Sequence, residues 1–572
     1  MENEGRMSRL ASMLRRRGVI MPSFEMYGGV SGLVDYGPVG ASIKRRVVDC
    51  WIDHWTGIPN VREIDSPTIT PESVLQASGH VGEFNDHMSE CKGCKRVFRS
   101  DHLLEGVHEN PDTLDAAKLD DEISRNGVCC PSCGSSEWGI SSPMNLMFRT
   151  SIGAMGNARA AYMRPETAQG MFMLYPALFR HFRQKLPFGA VQTGKGYRNE
   201  ISPRQGMIRL REFNMAEMEY FIDPESPPEV DLDRWGSEVV LLPDPEGPFP
   251  GEHRVSFSKA FESGIVRHPT VAWFLAMTME FLEKVGLDPG KVRFRQHGGS
   301  EMAHYASDCW DCELLGEHGW IECVGIANRT CHDLLAHEEH SGSSQLRGWR
   351  QFDSPRVDSR DVLAPIGSVI GPKLKDKASE VTELLGELQE LPDSLPFNLE
   401  LGDGSVVQIT EEMVTRKTVE VTSHGEYFTP HVIEPAFGID RIVWHILDHN
   451  FREVEKEGEN YTILSLNQEI APFDVSVLPL FDKDGMGEMA RGIATRIREI
   501  KGIVVDIDSS RSIGRRYARC DEIGVPWALT VDHTSLEEGS VTVRRRDDQL
   551  QVRALVDDII IRLANGTMEG LF

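Results

Sequence analysis

The stretch GYRNEISPRQGMIRLREF, residues 196–213, places four arginines and two glutamates in eighteen positions. Tyr197 to Glu200 and Leu210 to Phe213 read as extended pieces around the turn-forming Ser202-Pro203-Arg204-Gln205-Gly206. Such a ribbon is either a solvated hairpin or a site that grips polyphosphate with guanidinium, which binds phosphate oxygens in pairs. The chain has no GxxxxGK[ST] loop, and no GxGxxG follows a strand. Neither a P-loop nor a dinucleotide-binding fold is therefore open to it. A nucleotide held here has to lie on an antiparallel sheet. Alternation puts Arg198 and Glu200 on one face of the first strand, and Arg211, Glu217 and Glu219 on one face of the second. Arg204 and Arg209 can then clamp the outer phosphates.

A chain of 572 residues exceeds one core and predicts two to four domains. Its 61 basic and 88 acidic residues leave a formal charge of −27, which excludes a general affinity for nucleic acid. Any nucleic-acid partner has to be met by local basic patches. No apolar run reaches membrane-spanning length, and the first eighteen residues lack the apolar segment of a signal peptide, so the expected location is the cytosol. Of the eleven cysteines, Cys91/Cys94 and Cys130/Cys133 form two CxxC pairs, the pattern of a zinc ribbon though with a thirty-five-residue gap that is longer than usual, and Cys129 is an alternative to Cys130. Four thiolates leave no open coordination position, so that metal is structural. Cys309 and Cys312 have no second pair and are expected in the core.

A stripe of Val39, Ile43, Val47, Trp51 and Trp55 predicts a helix, followed by a strand interrupted by Pro67. Further helices are expected over 168–185, 270–285 and 374–391 and from about Asp440, and a buried strand over 318–326. From 472 onward strands and helices alternate regularly, the pattern of a separate α/β domain. The expected division is catalytic sheet over 1–87, 141–222 and 301–468, a zinc-ribbon-like insertion over 88–140, a proline-rich insertion over 223–300, and a C-terminal domain over 469–572.

YRNEISPRQGMIRLREF resembles motif 2 of the class II aminoacyl-tRNA synthetases. The first helix with EIDSPTITP is similar to motif 1, whose proline lies at the dimer interface, and EPAFGIDRIVW (434–444) to motif 3. Within the class, YMRPETAQGMF (162–172), AEMEYF (216–221) and the segment 302–334 resemble the dimeric glycyl-tRNA synthetases, as does MPSFEMYGGVSGLVDYGPVG at the start. IGRRYARCDEIGVPWALTVD (513–532) resembles their anticodon-binding domain. HVGE at 80–83 mimics the HIGH tetrapeptide of class I synthetases, but no partner motif accompanies it.

The resemblance implies an α+β multidomain fold: a class II synthetase antiparallel sheet core with helices, plus a C-terminal α/β anticodon-binding domain. It implies a homodimer that activates glycine with ATP and Mg²⁺ and transfers it to the terminal adenosine of tRNA(Gly). Arg198 and Arg441 are the implied catalytic arginines, at the α- and γ-phosphates. The implied ATP site adds Asn199, Glu200, Ile208, Arg209, Leu210, Arg211, Glu212, Phe213, Glu322, Cys323, Gly438, Ile439 and Asp440. The implied glycine site comprises Arg99, Glu166, Phe213, Glu217, Arg329, Glu434, Ala436 and Gly438. Members of the family commonly carry Ser where this chain has Ala436. Seven arginines, Arg511, Arg515, Arg516, Arg519, Arg544, Arg545 and Arg546, form the expected tRNA patch. Another class II synthetase, of threonyl, prolyl or histidyl type, is disfavoured by RPETAQG and AEMEYF. A non-catalytic paralogue is disfavoured by the retained arginines.

Overall fold

The computed structural model describes residues 5–572 apart from 109–110, 112–113, 155, 202, 204–205, 300–305, 389–390, 393 and 457–458. Arg204 and residues 302–305 of the segment 302–334 therefore lie outside the described residues. Two compact units divide the chain: residues 1–346 with 429–572, and residues 347–428.

The larger unit is built on a nine-stranded sheet. Its strands are β1 (Val61–Glu63), β2 (Phe188–Tyr197), β3 (Glu212–Ile222), β4 (Val239–Leu242), β5 (His253–Val255), β6 (Val292–Gln296), β7 (Asp308–Gly316), β8 (Gly319–Thr330) and β9 (His431–Gly438). The spatial order is β5-β4-β6-β7-β8-β9-β3-β2-β1, antiparallel throughout except for β4 with β6 and β2 with β1. The segment after residue 223, expected as a proline-rich insertion, thus adds β4, β5 and β6 to one side of the same sheet.

Helix α1 (Pro38–Thr56) buries Ile43, Val47, Trp51 and Trp55, the four-residue stripe visible in the sequence. Trp51 and Trp55 each pack on Phe437 of β9 with ring centroids 5.7 Å apart. Helix α2 (Ala168–His181) is shorter than expected, because Arg183 and Gln184 adopt left-handed backbone. Helices α3 (Pro269–Lys284), α4 (His332–Ser341) and α5 (Ile439–Asn450) complete the layers. Along β3, Ala216, Met218, Tyr220 and Ile222 join the core that contains α1 and α3, whereas Phe221 joins the aromatic cluster of α2. Alternation therefore places Glu217 and Glu219 on the α2 side.

The charged hairpin departs from its expected register. Arg198 N–H donates to Arg211 O at 2.9 Å, but Asn199 N–H turns to Leu146 O at 2.7 Å, so the strands end at Tyr197 and Glu212. Arg198 and Glu200 accordingly share no strand face. Arg211 lies outside β3 and donates to the carbonyls of Glu200 and Ser31.

The C-terminal part forms a five-stranded sheet of β10 (Val475–Pro479), β11 (Val505–Ile507), β12 (Trp527–Val531), β13 (Ser540–Arg545) and β14 (Gln551–Leu555), ordered β11-β10-β12-β13-β14. Strand β10 runs parallel to both neighbours, and β12, β13 and β14 are antiparallel. Helices α6 (Met486–Arg498), α7 (Ile513–Ile523) and α8 (Val556–Asn565) accompany it, in the alternation the sequence predicts.

Residues 347–428, left inside 301–468 by the sequence reading, are a unit with their own core. A long hairpin pairs Gly348–Pro365 with Val414–Phe428, and the helix Ala378–Glu387 buries Val381 and Leu385 among Leu363, Leu399 and Ile409. Among the described residues no helix is long and apolar enough to cross a membrane.

Candidate active site

Three adjacent strands present a polar face beside α2. Glu217 of β3 stands opposite Ala436 of β9, and Ala436 stands opposite Gly325 of β8. One step along, Glu434 faces Ala327. A cavity of about 300 Å³ opens over this face. Of the expected residues it is lined by Arg198, Glu200, Ile208, Arg209, Leu210, Phe213, Glu322, Cys323, Gly438, Asp440 and Arg441, and by Glu166, Glu217, Arg329, Glu434 and Ala436.

One end of the cavity is a buried carboxylate cluster. Glu434 accepts from Arg329 Nη1 at 2.8 Å, and Asp333 of α4 holds that guanidinium from the other side at 2.8 and 2.9 Å. Burial and the neighbouring Glu166 push the Glu434 carboxyl up, against the pull of Arg329. Glu217 accepts from the backbone N–H of Thr167 at 2.7 Å and from its hydroxyl. Burial, Glu434 and Glu166 raise its pKa to about 8. Glu166 is half-buried, and against the effect of desolvation His80 and Arg329 hold its carboxyl below the ordinary range. Its Oε1 accepts from Gln169 at 2.9 Å. Behind them Glu219 is fully buried with neither oxygen hydrogen-bonded, and burial first, then Glu434, raises its pKa strongly. Excess buried acid of this kind favours a cationic ligand.

The other end carries guanidinium. Arg198 lies between the rings of Phe84 and Phe213, at 5.2 and 5.4 Å, and its buried Nε has no partner. Two aromatic faces hold the side chain straight without discharging it. Arg441 is braced by carbonyls, Nε to Ile208 O at 3.0 Å and Nη1 to Glu322 O at 2.5 Å, with Glu322 Oε2 at 3.6 Å. Phe213 and Glu217 lie four residues apart on β3, so the two ends are separated by about 13 Å of strand.

Five expected residues are not brought to the cavity. Arg99 is clamped by Asp86 at 2.9 Å and by Asp101. Ile439 is core. Glu212 pairs with Lys195 at 3.1 Å. Asn199 and Arg211 are carried off where the hairpin leaves the sheet. Asp440 does line the cavity, but its oxygens are taken by Tyr36 and Asn214. Sequence reasoning missed Met207, Asn214, Met215 and Gly325 in the lining, and Phe84, Thr167 and Asp333 behind it. Alternation with Glu217 pointed to Met215; nothing local pointed to the others. His80, in the HVGE set aside as coincidence, reaches Glu166 at 3.5 Å.

The four expected cysteines converge. Cys91 and Cys133 sulfurs are 3.6 Å apart, and Cys94 and Cys130 sulfurs 3.7 Å apart. A tetrahedral Zn²⁺ with Zn–S of about 2.3 Å needs S···S edges of roughly 3.8 Å, so the donor set fits. Cys129 is exposed and points to Gly127 O, which leaves Cys130 as the fourth donor. Cys312 is core, as expected. Half-buried Cys309 lies beside His297 and Asp311, but the Asp311 Oδ2 is already shared by His297 at 2.9 Å and Arg295 at 2.8 Å.

The expected tRNA patch is mostly closed. Arg516, Arg544 and Arg546 are buried. Arg544 binds Asp521 through two bonds of 2.7 and 2.9 Å, and Arg516 donates to the Pro479 and Leu480 carbonyls. Arg519 and Arg545 are paired with Asp508 and Asp548. Arg511 and Arg515 remain exposed.

Residues 148–237 match the family model of the tRNA synthetase class II core domain (G, H, P, S and T), and residues 474–565 match that of the anticodon binding domain. The chain is similar to the glycine–tRNA ligase of Methanothrix thermoacetophila, 44% identical with 98% of each chain covered. The enzyme of that name from Methanocaldococcus jannaschii is 44% identical, over 96% of this chain and 97% of its own. That from Archaeoglobus fulgidus is 42% identical, over 97% and 95%.

Proposed function

The chain belongs to the glycine–tRNA ligases, and on that premise we propose how its cavity divides the work of joining glycine to tRNA with ATP. The carrying observation is the cavity's polarity, with buried carboxylates at one end and underneutralised arginines at the other. Glu166, Glu217 and Glu434 receive the glycine ammonium, and Arg329 with Asp333 fixes Glu434. Larger amino acids are rejected because the floor is already filled by these side chains, the direction in which a tight pocket discriminates well.

Arg198 holds the α-phosphate while the glycine carboxylate attacks it, forming the C–O–P bond of glycyl-adenylate as pyrophosphate leaves. Arg441 and Arg209 hold the leaving phosphates. The hydroxyl of the tRNA terminal adenosine then attacks the adenylate carbonyl and AMP leaves. Both steps need orientation and fixed charge more than a dedicated base. Glu200 and Glu322 are the carboxylates that reach the nucleotide end, where they would hold the Mg²⁺ that neutralises phosphate charge. Cys323 and Phe213 line the base and ribose side.

The catalytic domain is assembled from 1–87, 141–346 and 429–468, with 223–300 part of its sheet, an insertion at 88–140, the separate unit 347–428, and the anticodon-binding domain over 469–572. The cysteine insertion holds one structural Zn²⁺. Pairing of two copies through motif 1, with Pro67 between two short strands, and a cytoplasmic location complete the reading. ATP–pyrophosphate exchange measured with each of the twenty amino acids tests it. Exchange should appear with glycine alone, and exchange equally supported by alanine or serine would refute the pocket as described.

A further inference from the structure

Arg209 lines the arginine end of the cavity, and its Nη1 lies 3.1 Å from Nε2 of His102. A guanidinium can only donate, so this ring nitrogen accepts and the imidazole is neutral. Burial, then the adjacent Arg99 and Arg209, lower the His102 pKa; Asp101 and Glu105 oppose them, the latter with an oxygen 3.8 Å from Nε2. His102 opens the turn His102–Leu104, which follows the strand Val97–Arg99. Its neighbours Leu103 and Leu104 are buried in the small core that contains Phe98, Cys91 and Cys130. Arg99, clamped between Asp86 and Asp101, ties the strand to the turn. The cysteine cluster, the strand and His102 thus belong to one local assembly that contacts an arginine of the nucleotide site.

We propose that His102 is a positioning residue for ATP: its imidazole aims the Arg209 guanidinium into the cavity, and this hydrogen bond carries the influence of the cysteine-bearing insertion to the nucleotide. The inference rests on reading Arg209 as a phosphate ligand. A neutral acceptor suits the task. A carboxylate at this place would orient Arg209 equally well but would neutralise it and compete with phosphate.

The test is ATP–pyrophosphate exchange by the full-length protein at varied ATP and varied glycine. His102→Ala should raise the KM for ATP about three- to tenfold, the effect of one lost orienting hydrogen bond, and leave the KM for glycine unmoved. His102→Gln, whose side-chain oxygen can stand in for Nε2, should restore a KM close to that of the parent. His102→Glu keeps an acceptor but should be at least as poor as Ala. Arg209→Ala should raise the KM for ATP further and make the His102 substitution silent. Should Arg209→Ala leave the KM for ATP unchanged, the reading of Arg209 itself fails. Should Arg209→Ala raise it while His102→Ala does not, or should Gln fail to rescue, the positioning role is overturned. Paired Cys91→Ser and Cys94→Ser substitutions should raise the KM for ATP non-additively with His102→Ala. Additive effects would overturn the link to the insertion.

Discussion

The cavity and the C-terminal sheet are both rich in arginine, and they use it in opposite ways. In the C-terminal part, Arg544 meets Asp521 with two hydrogen bonds and Arg516 is wrapped by backbone carbonyls, both under 6% exposed. Those charges are spent on the protein. In the cavity, Arg198 is held by ring faces and Arg441 mainly by carbonyls, partners that fix direction while leaving most of the charge for a ligand. The kind of partner, not the density of arginine in the sequence, separates a binding site from a structural brace.

The comparison breaks first at Arg544. Replacing it with Ala strands buried Asp521 and should cost about 3–5 kcal/mol of stability, read as a loss in chemical denaturation, with exchange per folded molecule unchanged. Arg198→Ala should do the reverse, lowering exchange by on the order of 10²-fold with little change in the denaturation midpoint. If the two variants behaved alike, the distinction would fall.

The carboxylate end sharpens it with pH. Glu217 titrates at about 8 in the free protein because burial and two other carboxylates favour its protonated form. A bound ammonium favours the ionised form, so binding below that pKa expels a proton. The KM for glycine should therefore fall as pH rises from about 6.5 to 8, by up to roughly tenfold per unit. Glu217→Gln should flatten the profile over that interval; an unchanged slope would assign the proton elsewhere.

A smaller effect is expected at the exposed pair. Charge reversal at Arg511 and Arg515 should raise the KM for tRNA several-fold, more at low salt, and spare exchange. Equal damage to exchange would make both residues structural. Smallest is Ala436→Ser, which returns a hydroxyl beside Glu217 and Glu434 and should tighten glycine by up to about 1 kcal/mol. A looser KM would show that the hydroxyl finds no partner there.

How much of this was legible beforehand follows the range of each signal. The α1 stripe and the alternation after residue 472 are local periodicities, and both reappear as elements. The motif segments located most of the cavity, because their spacing along β3 and β9 survives folding. Burial of Arg516 and Arg544 was hidden, since it depends on Asp521 and on carbonyls of another strand. Phe84 was hidden for the same reason, lying 114 positions before the Arg198 it covers. The strands β4 and β5 were masked by the prolines around them, which punctuate the segment but fall outside both strands. Arg99 was assigned to glycine by motif alone; two carboxylates from its own sheet and turn claim it instead.

Gly325 carries a different kind of consequence. Its backbone is not left-handed, and a methyl group placed on it would meet no atom within 4 Å. Neither chain geometry nor packing therefore calls for glycine at this position, which opens toward the cavity beside Ala436. Gly325→Ala should thus change stability little and, on the proposed reading of the cavity, be felt when a substrate arrives.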